Sequence, residues 1–297
     1  MIHPYLRAVG FSEYKTRAQI NQLLAEVIAK PTSTNRITLP NGRQLGYFSK
    51  VFVKENTQHQ AAGITVYGEY DEHGHFVFEY YYPFFEGSAY STRAELSMEQ
   101  ATMQDYLEGM VDEENVGVSL IFFVDNMLEC IEKKKDNKKQ TSVSLKGFAQ
   151  SGNILLPISK SNQERQEKKN NDLKRLDLIR AAKRGDESAI ENLTLDEMDT
   201  YTTVSKKIKD SDIFSMVETY FMPNGLECDH YSVMAEIIGV HEVENSLTGE
   251  KMYHLDLKHN FLPFYVYINQ RDLNGTPQVG RRFKANIWMT GTVIYEK

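Results

Sequence analysis

The sequence predicts an α+β protein with three parts. An N-terminal helix lies on a mostly antiparallel sheet, a helical connector follows, and a C-terminal small OB-like antiparallel β-barrel ends the chain. Three observations carry this. A capped helical pattern opens the chain, alternating strand patterns with turn signals follow it, and a polar helix-rich stretch then separates them from a second run of short strands. The boundaries fall at 1–160 for the sheet domain, 161–215 for the connector and 216–297 for the barrel.

The first helix begins at Thr16, which with Gln19 fits a capping box, and Pro31 stops it. Ile20, Leu23, Leu24, Val27 and Ile28 recur at helical spacing, so one face has to be buried. "RITLPNGRQLG" carries Pro-Asn-Gly between extended runs and reads as a hairpin. "ITVYGEY" and "HFVFEYYYPFF" flank the turn Asp71–Gly74 and should pair antiparallel, with Phe76, Phe78, Tyr80 and Tyr82 on one face. "VGVSLIFFV" is apolar on both faces and suits a covered central strand. "KKKDNKK" reads as a solvated loop, and "TSVSLKGFA" and "NILLPI" as two further short strands.

Beyond Pro157 the chain turns polar. Ser161 with Glu164 caps a helix whose stripe is Leu173, Leu176, Ile179 and Ala182. Gly185 fits a C′ position, Asp186 a fresh N-cap, and Thr194 with Glu197 opens a third helix. "AAKRGDESAIENL" has the pitch of an ankyrin-type unit but no second copy, which argues against a solenoid. "DIFSMVETYFMP" fits helix and strand periods equally. The barrel strands follow, with Tyr231, Val233, Ala235 and Ile237, then Tyr253, Leu255 and Leu257, then Phe264, Val266 and Ile268 facing inward. Arg281–Thr290 and Thr292–Tyr295 form the last strand pair.

Composition limits function. With 297 residues and 41% hydrophobic content, the chain supports about two domains with real cores. Its net charge of −7 disfavours a dedicated nucleic-acid binder. Cys130 and Cys228 match no zinc or redox spacing and read as reduced thiols. The N-terminal stretch lacks the apolar run of a signal peptide, and no stretch reaches the length of a membrane-spanning helix, so a cytoplasmic location is expected. No Walker A sequence, dinucleotide fingerprint, nucleophile elbow or zinc-protease motif appears. No cofactor and no metal are expected.

Several blocks together resemble an uncharacterised family of bacterial proteins known only as a domain of unknown function. They are "LRAVGFSEYKTR", "VGVSLIFFVDN", "NILLPISK", "AAKRGDESAIENLTLDEMDTY", "FMPNGLECDHY" and "VGRRFKANIWMTG". The resemblance spans essentially the whole chain and implies a soluble intracellular protein. It supplies no activity, cofactor or catalytic residue.

Four constellations carry candidate chemistry. In "ECDHY", Cys228 and His230 share a strand face and are the catalytic candidates, although a thiolate nucleophile also needs an oriented base and an oxyanion site. The alternative is a small buried cysteine at a strand entrance. "DEHGH" holds two histidines and two acids, yet it has the composition of a polar turn and no distal ligand pair. The tyrosine-rich run Glu79–Tyr90 offers amphipathic contact area for a protein partner, with half of it owed to the core.

In the last strand, Phe283, Ala285, Ile287 and Met289 take the inner face and Arg282, Lys284, Asn286 and Trp288 the outer. Arg282, Lys284 and Trp288 are the ligand-binding candidates, two cations beside a ring that could stack on a base. Against this, the segment from Met216 holds 7 Lys+Arg and 10 Asp+Glu, and Trp288 could equally lie covered by the helical segment. The leading expectation is a non-enzymatic interaction or regulatory protein. The second is an OB-like module for single-stranded nucleic acid or another anionic ligand, and the third a thiol-dependent enzyme.

Overall fold

The computed structural model describes residues 2–54, 61–86, 91–92, 95–100, 106–113, 118–158, 162–195 and 217–296. A 3₁₀ segment, Pro4–Val9, precedes helix α1 (Arg17–Ala29). Thr16 and Gln19 form the capping box, each satisfying a backbone N–H of the other's turn. Ile20, Leu23, Leu24 and Val27 are the helix's buried residues, as the spacing requires.

This helix covers a four-stranded antiparallel sheet in the order β1 (Ser33–Thr38), β2 (Gln44–Lys54), β3 (Ala61–Tyr70) and β4 (Phe76–Phe85). Both expected hairpins form, with Ile37 opposite Leu45 and Tyr70 opposite Phe76. A bulge between Tyr67 and Gly68 interrupts the β3–β4 register, so the alternation expected across Phe76, Phe78, Tyr80 and Tyr82 breaks. Tyr81, Tyr82 and Phe85 are core, while Val77 and Phe78 are 51% and 43% exposed.

A second, ten-stranded sheet contains β5 (Glu95–Gln100), β6 (Leu107–Glu113), β7 (Val118–Val124), β8 (Gln140–Leu155) and β9 (Tyr220–Pro223). The rest of it is β10 (His230–Glu244), β11 (Lys251–His259), β12 (Leu262–Asn269), the two-residue β13 (Leu273–Asn274) and β14 (Arg282–Tyr295). Five of these strands pair in a ring-like cycle. β8 pairs parallel with β12, and antiparallel pairs join β12 to β11, β11 to β10, β10 to β14 and β14 back to β8. Inside it lie Tyr231, Val233, Ala235, Ile237, Leu255, Leu257, Phe264, Val266, Ile268, Phe283, Ala285, Ile287 and Met289. Each matches the inward period-2 positions read from the sequence, except that Tyr253 is only partly buried.

Several expectations are corrected. "TSVSLKGFA" and the first half of "NILLPI", Asn153 to Leu155, belong to one strand, β8, in which Gly152 lets the Phe283 ring approach: a Cβ there would come within 2.7 Å of it. The last two strands are likewise one, β14, whose Gly291 lies under the Phe122 ring. "KKKDNKK" begins inside helix α2 (Met127–Lys135), whose Met127 and Leu128 pack with Ile37, Leu45 and Tyr67 of the four-stranded sheet. Helix α3 (Asn162–Lys183) ends as expected, with Gly185 at φ 87° and Asp186 accepting from the N–H groups of Ser188 and Ala189. Ser161 and Glu197 lie outside the described residues. Thr194 sits inside the helical segment 187–195, its hydroxyl donating to the Ile190 carbonyl oxygen at 2.9 Å, so it opens no new helix there. Of the stretch read both ways, 220–223 is strand.

One apolar core joins the four-stranded sheet to the outside of the cycle. It unites Phe52, Ile64, Val66, Tyr82 and Phe85 with Phe148, Tyr265, Tyr267 and Trp288, and the segment Tyr5, Leu6, Ala8, Val9 and Phe11 runs through it. Burying a side chain such as Leu6 or Val9 stabilises the fold by about 1.5–3 kcal/mol. Polar clamps fix the segment. Arg7 binds Asp272 bidentately, Ser12 donates to the buried Glu250, and Asn245 donates to the Val9 carbonyl oxygen.

Candidate functional site

Two of the sequence's constellations meet. β10 and β14 pair with His230 opposite Trp288, so "ECDHY" enters the sheet beside the tryptophan. The indole N–H of Trp288 donates to Asp229 Oδ2 at 2.7 Å, and Asp229 Oδ1 lies 2.9 Å from His230 Nδ1. Asp229 therefore holds an indole and an imidazole with its two oxygens. Its position in the turn before β10 brings it there, since the Met289 N–H also donates to the Asp229 carbonyl oxygen at 2.8 Å.

The N-terminal segment closes this group. Tyr5 stacks on Trp288 at 5.7 Å, His3 lies 5.0 Å from the indole, and Phe148 stacks on it at 5.7 Å. Trp288 is 6% exposed as a result. Its cover is the 3₁₀ segment and the adjacent strands.

Burial lowers the His3 imidazole from 6.5 to about 4, with the Asp229 charge pulling the other way. Burial also pushes the Tyr5 hydroxyl up to about 12. The His230 imidazole moves upward, chiefly through its hydrogen bond with Asp229. Glu227 stands 3.8 Å from the same nitrogen. An imidazole so oriented can exchange a proton. Nucleophilic catalysis needs more, and among the described residues no hydrogen bond joins His230 to the Cys228 thiol.

Cys228 is exposed and Cys130 buried. Burial raises the Cys130 thiol to about 12.

Arg282, Lys284 and Trp288 alternate with the inward set along β14 but meet different surroundings. Arg282 is buried at the start of β14, donating to the carbonyl oxygens of Leu156 and Val217 at 2.9 and 2.8 Å. Lys284 is half-buried between Met234 and Asn153 on the neighbouring strands. Arg282 lines an open cleft of about 750 Å³ together with Arg281, Lys258, Glu236, Glu218 and Phe261.

In "DEHGH", Asp71 Oδ1 accepts from the backbone N–H groups of His73 and His75 at 2.9 and 2.7 Å, which is turn chemistry. Among the described residues no group of three or more His, Cys, Asp or Glu is placed to hold a metal.

Sequence reading missed Asp229, His3 and Tyr5. Asp229 stood in a quoted motif, but its role depends on a partner 59 residues away. His3 and Tyr5 carried only an N-cap and a proline at the start of a short apolar run.

A family model described as "Domain of unknown function, E. rectale Gene description (DUF3881)" matches residues 6–291. No curated protein and no solved structure matches the chain.

Proposed function

The chain belongs to this family, whose description assigns no activity, and we propose that it is a non-enzymatic interaction or regulatory protein of the cytoplasm. The carrying observation is the outer edge of the four-stranded sheet. β4 ends the strand order, and its first half presents Val77 and Phe78 to solvent, 51% and 43% exposed. An apolar strand edge is a template for pairing with another chain, and soluble proteins normally blunt it. Strand addition at such an edge draws affinity from main-chain hydrogen bonds and specificity from alternate side chains.

The residues that invite a ligand-binding reading support this one by their engagement elsewhere. Trp288 is stacked and hydrogen-bonded, and Arg282 is committed to two carbonyl groups. The test is affinity capture from the native host with wild type and Phe78→Lys. A partner recovered by wild type and lost by the variant supports the reading, and equal recovery by both removes this edge from it.

A second reading has its own observation. Supporting it is the order around the five-strand cycle, which has one parallel contact, β8 with β12, and would fit an OB-type barrel with β8 as its last strand. The cleft at its end, with Arg281, Lys258 and Phe261, would suit a small anionic ligand. Isothermal titration with nucleotides and short oligonucleotides checks it, and heat absent at low salt would count against it.

A further inference from the structure

We infer that the first occupant of the β4 edge is a second copy of this chain, paired antiparallel about a two-fold axis through Val77; this rests on the interaction reading above. The strand pattern sets the geometry. The Asp71 N–H donates to the His75 carbonyl oxygen at 2.9 Å, and Glu69 lies opposite Val77. Hydrogen-bonded pairs recur every second residue, so Val77 directs its backbone groups toward β3. Phe76 and Phe78 then direct theirs outward, and among the described residues β4 pairs only with β3.

The run Phe76-Val77-Phe78 reads the same in both directions. With Val77 on the axis, Phe76 of one copy faces Phe78 of the other, and the two exchange both backbone hydrogen bonds. Every contact occurs twice, as a two-fold interface requires. The bulge beside Gly68 and Phe78 bounds the pairable run, so the contact is short and belongs to the weak, transient class. An unrelated strand would need its own match to this aromatic order, whereas a second copy already carries it.

The register makes the test specific. Val77 forms a non-hydrogen-bonded pair with its own copy, with Cα atoms about 4.5 Å apart, within disulfide range. Residue 75 would lie roughly 13 Å from its own copy, four strand positions away. In a Cys228→Ser background, Val77→Cys and His75→Cys are oxidised separately with diamide and run on non-reducing gels. Val77→Cys should give a covalent dimer and His75→Cys should not. Sedimentation of wild type over rising concentration should show the weight-average mass climbing toward the dimer, and Val77→Lys, which sets like charges face to face, should abolish the climb.

A wild type that stays monomeric with no cross-link at 77 overturns the inference, as does equal cross-linking at 75 and 77. If Phe78→Lys still loses a captured host protein in that case, the interaction reading stands and the edge belongs to another chain. If nothing is lost, the edge drops out of the interaction reading as well.

Discussion

The indole nitrogen of Trp288 and the carboxylate of Asp229 are joined at 2.7 Å, and this bond ties the last strand to the turn that opens β10. It also lets an aromatic stack of Tyr5, Trp288 and Phe148 bury a polar N–H without cost.

Trp288 is the chain's single tryptophan, so intrinsic fluorescence reports this environment alone. Its emission should be blue-shifted and resist acrylamide quenching, and Tyr5→Ala should raise the quenching. Trp288→Phe keeps a ring but loses the N–H, and should lower stability by about 1–2 kcal/mol in urea denaturation. A freely quenched wild-type tryptophan would contradict the stack.

The two thiols should separate by reactivity. Cys228 is exposed, while Cys130 is buried with its thiol raised to about 12. A chromogenic disulfide reagent should titrate one thiol per native chain and two after unfolding, and Cys228→Ala should remove the native signal.

How much of this was legible follows from the range of each interaction. The inward set Phe283, Ala285, Ile287 and Met289 was readable because period-2 alternation is local. The cap at Thr16 and the stop at Gly185 were local too. The cover over Trp288 was not, since it comes from His3 and Tyr5 at the far end of the chain. Nor was the unity of β8, because Gly152 reads as a break until the Phe283 ring it accommodates is in view. The candidates Arg282 and Trp288 shared an alternation class but not an environment: one meets carbonyl groups near Leu156, the other an aromatic stack. Cys228 and His230 were read as a pair, yet the contact His230 makes is with Asp229 between them, which joins it to Trp288.

Acid should weaken the N-terminal closure. Burial holds the folded His3 at about 4, below its ordinary 6.5. Between those values the unfolded chain binds more protons, so stability rises with pH there and is lost as pH falls from about 6.5 toward 4. His230, raised chiefly by its hydrogen bond with Asp229, contributes the opposite slope, lost as pH rises through its folded value. His3→Gln should therefore shrink the stability difference between about pH 5 and about pH 7, measured by urea midpoints. An unchanged difference would place His3 in water.

Behind the sheet, Lys146 is 3% exposed and pairs with Asp125 at 2.7 Å, while also donating to the Phe85 carbonyl oxygen. Asp125→Ala strands a buried ammonium and should cost about 3–5 kcal/mol in the same denaturation assay. A loss within the range of a surface change, about 0.5 kcal/mol, would mean the pair is solvated.

The proposed interaction surface requires an open β4 edge. Residue-resolved amide hydrogen exchange on dilute protein tests this most directly. Val77, whose N–H points toward β3, should exchange slowly, while Phe76 and Phe78 exchange at rates close to those of the Asp71–Gly74 turn. Protection of Phe76 and Phe78 equal to that of Val77 in the dilute monomer would show the edge already covered and would contradict the proposed interaction surface.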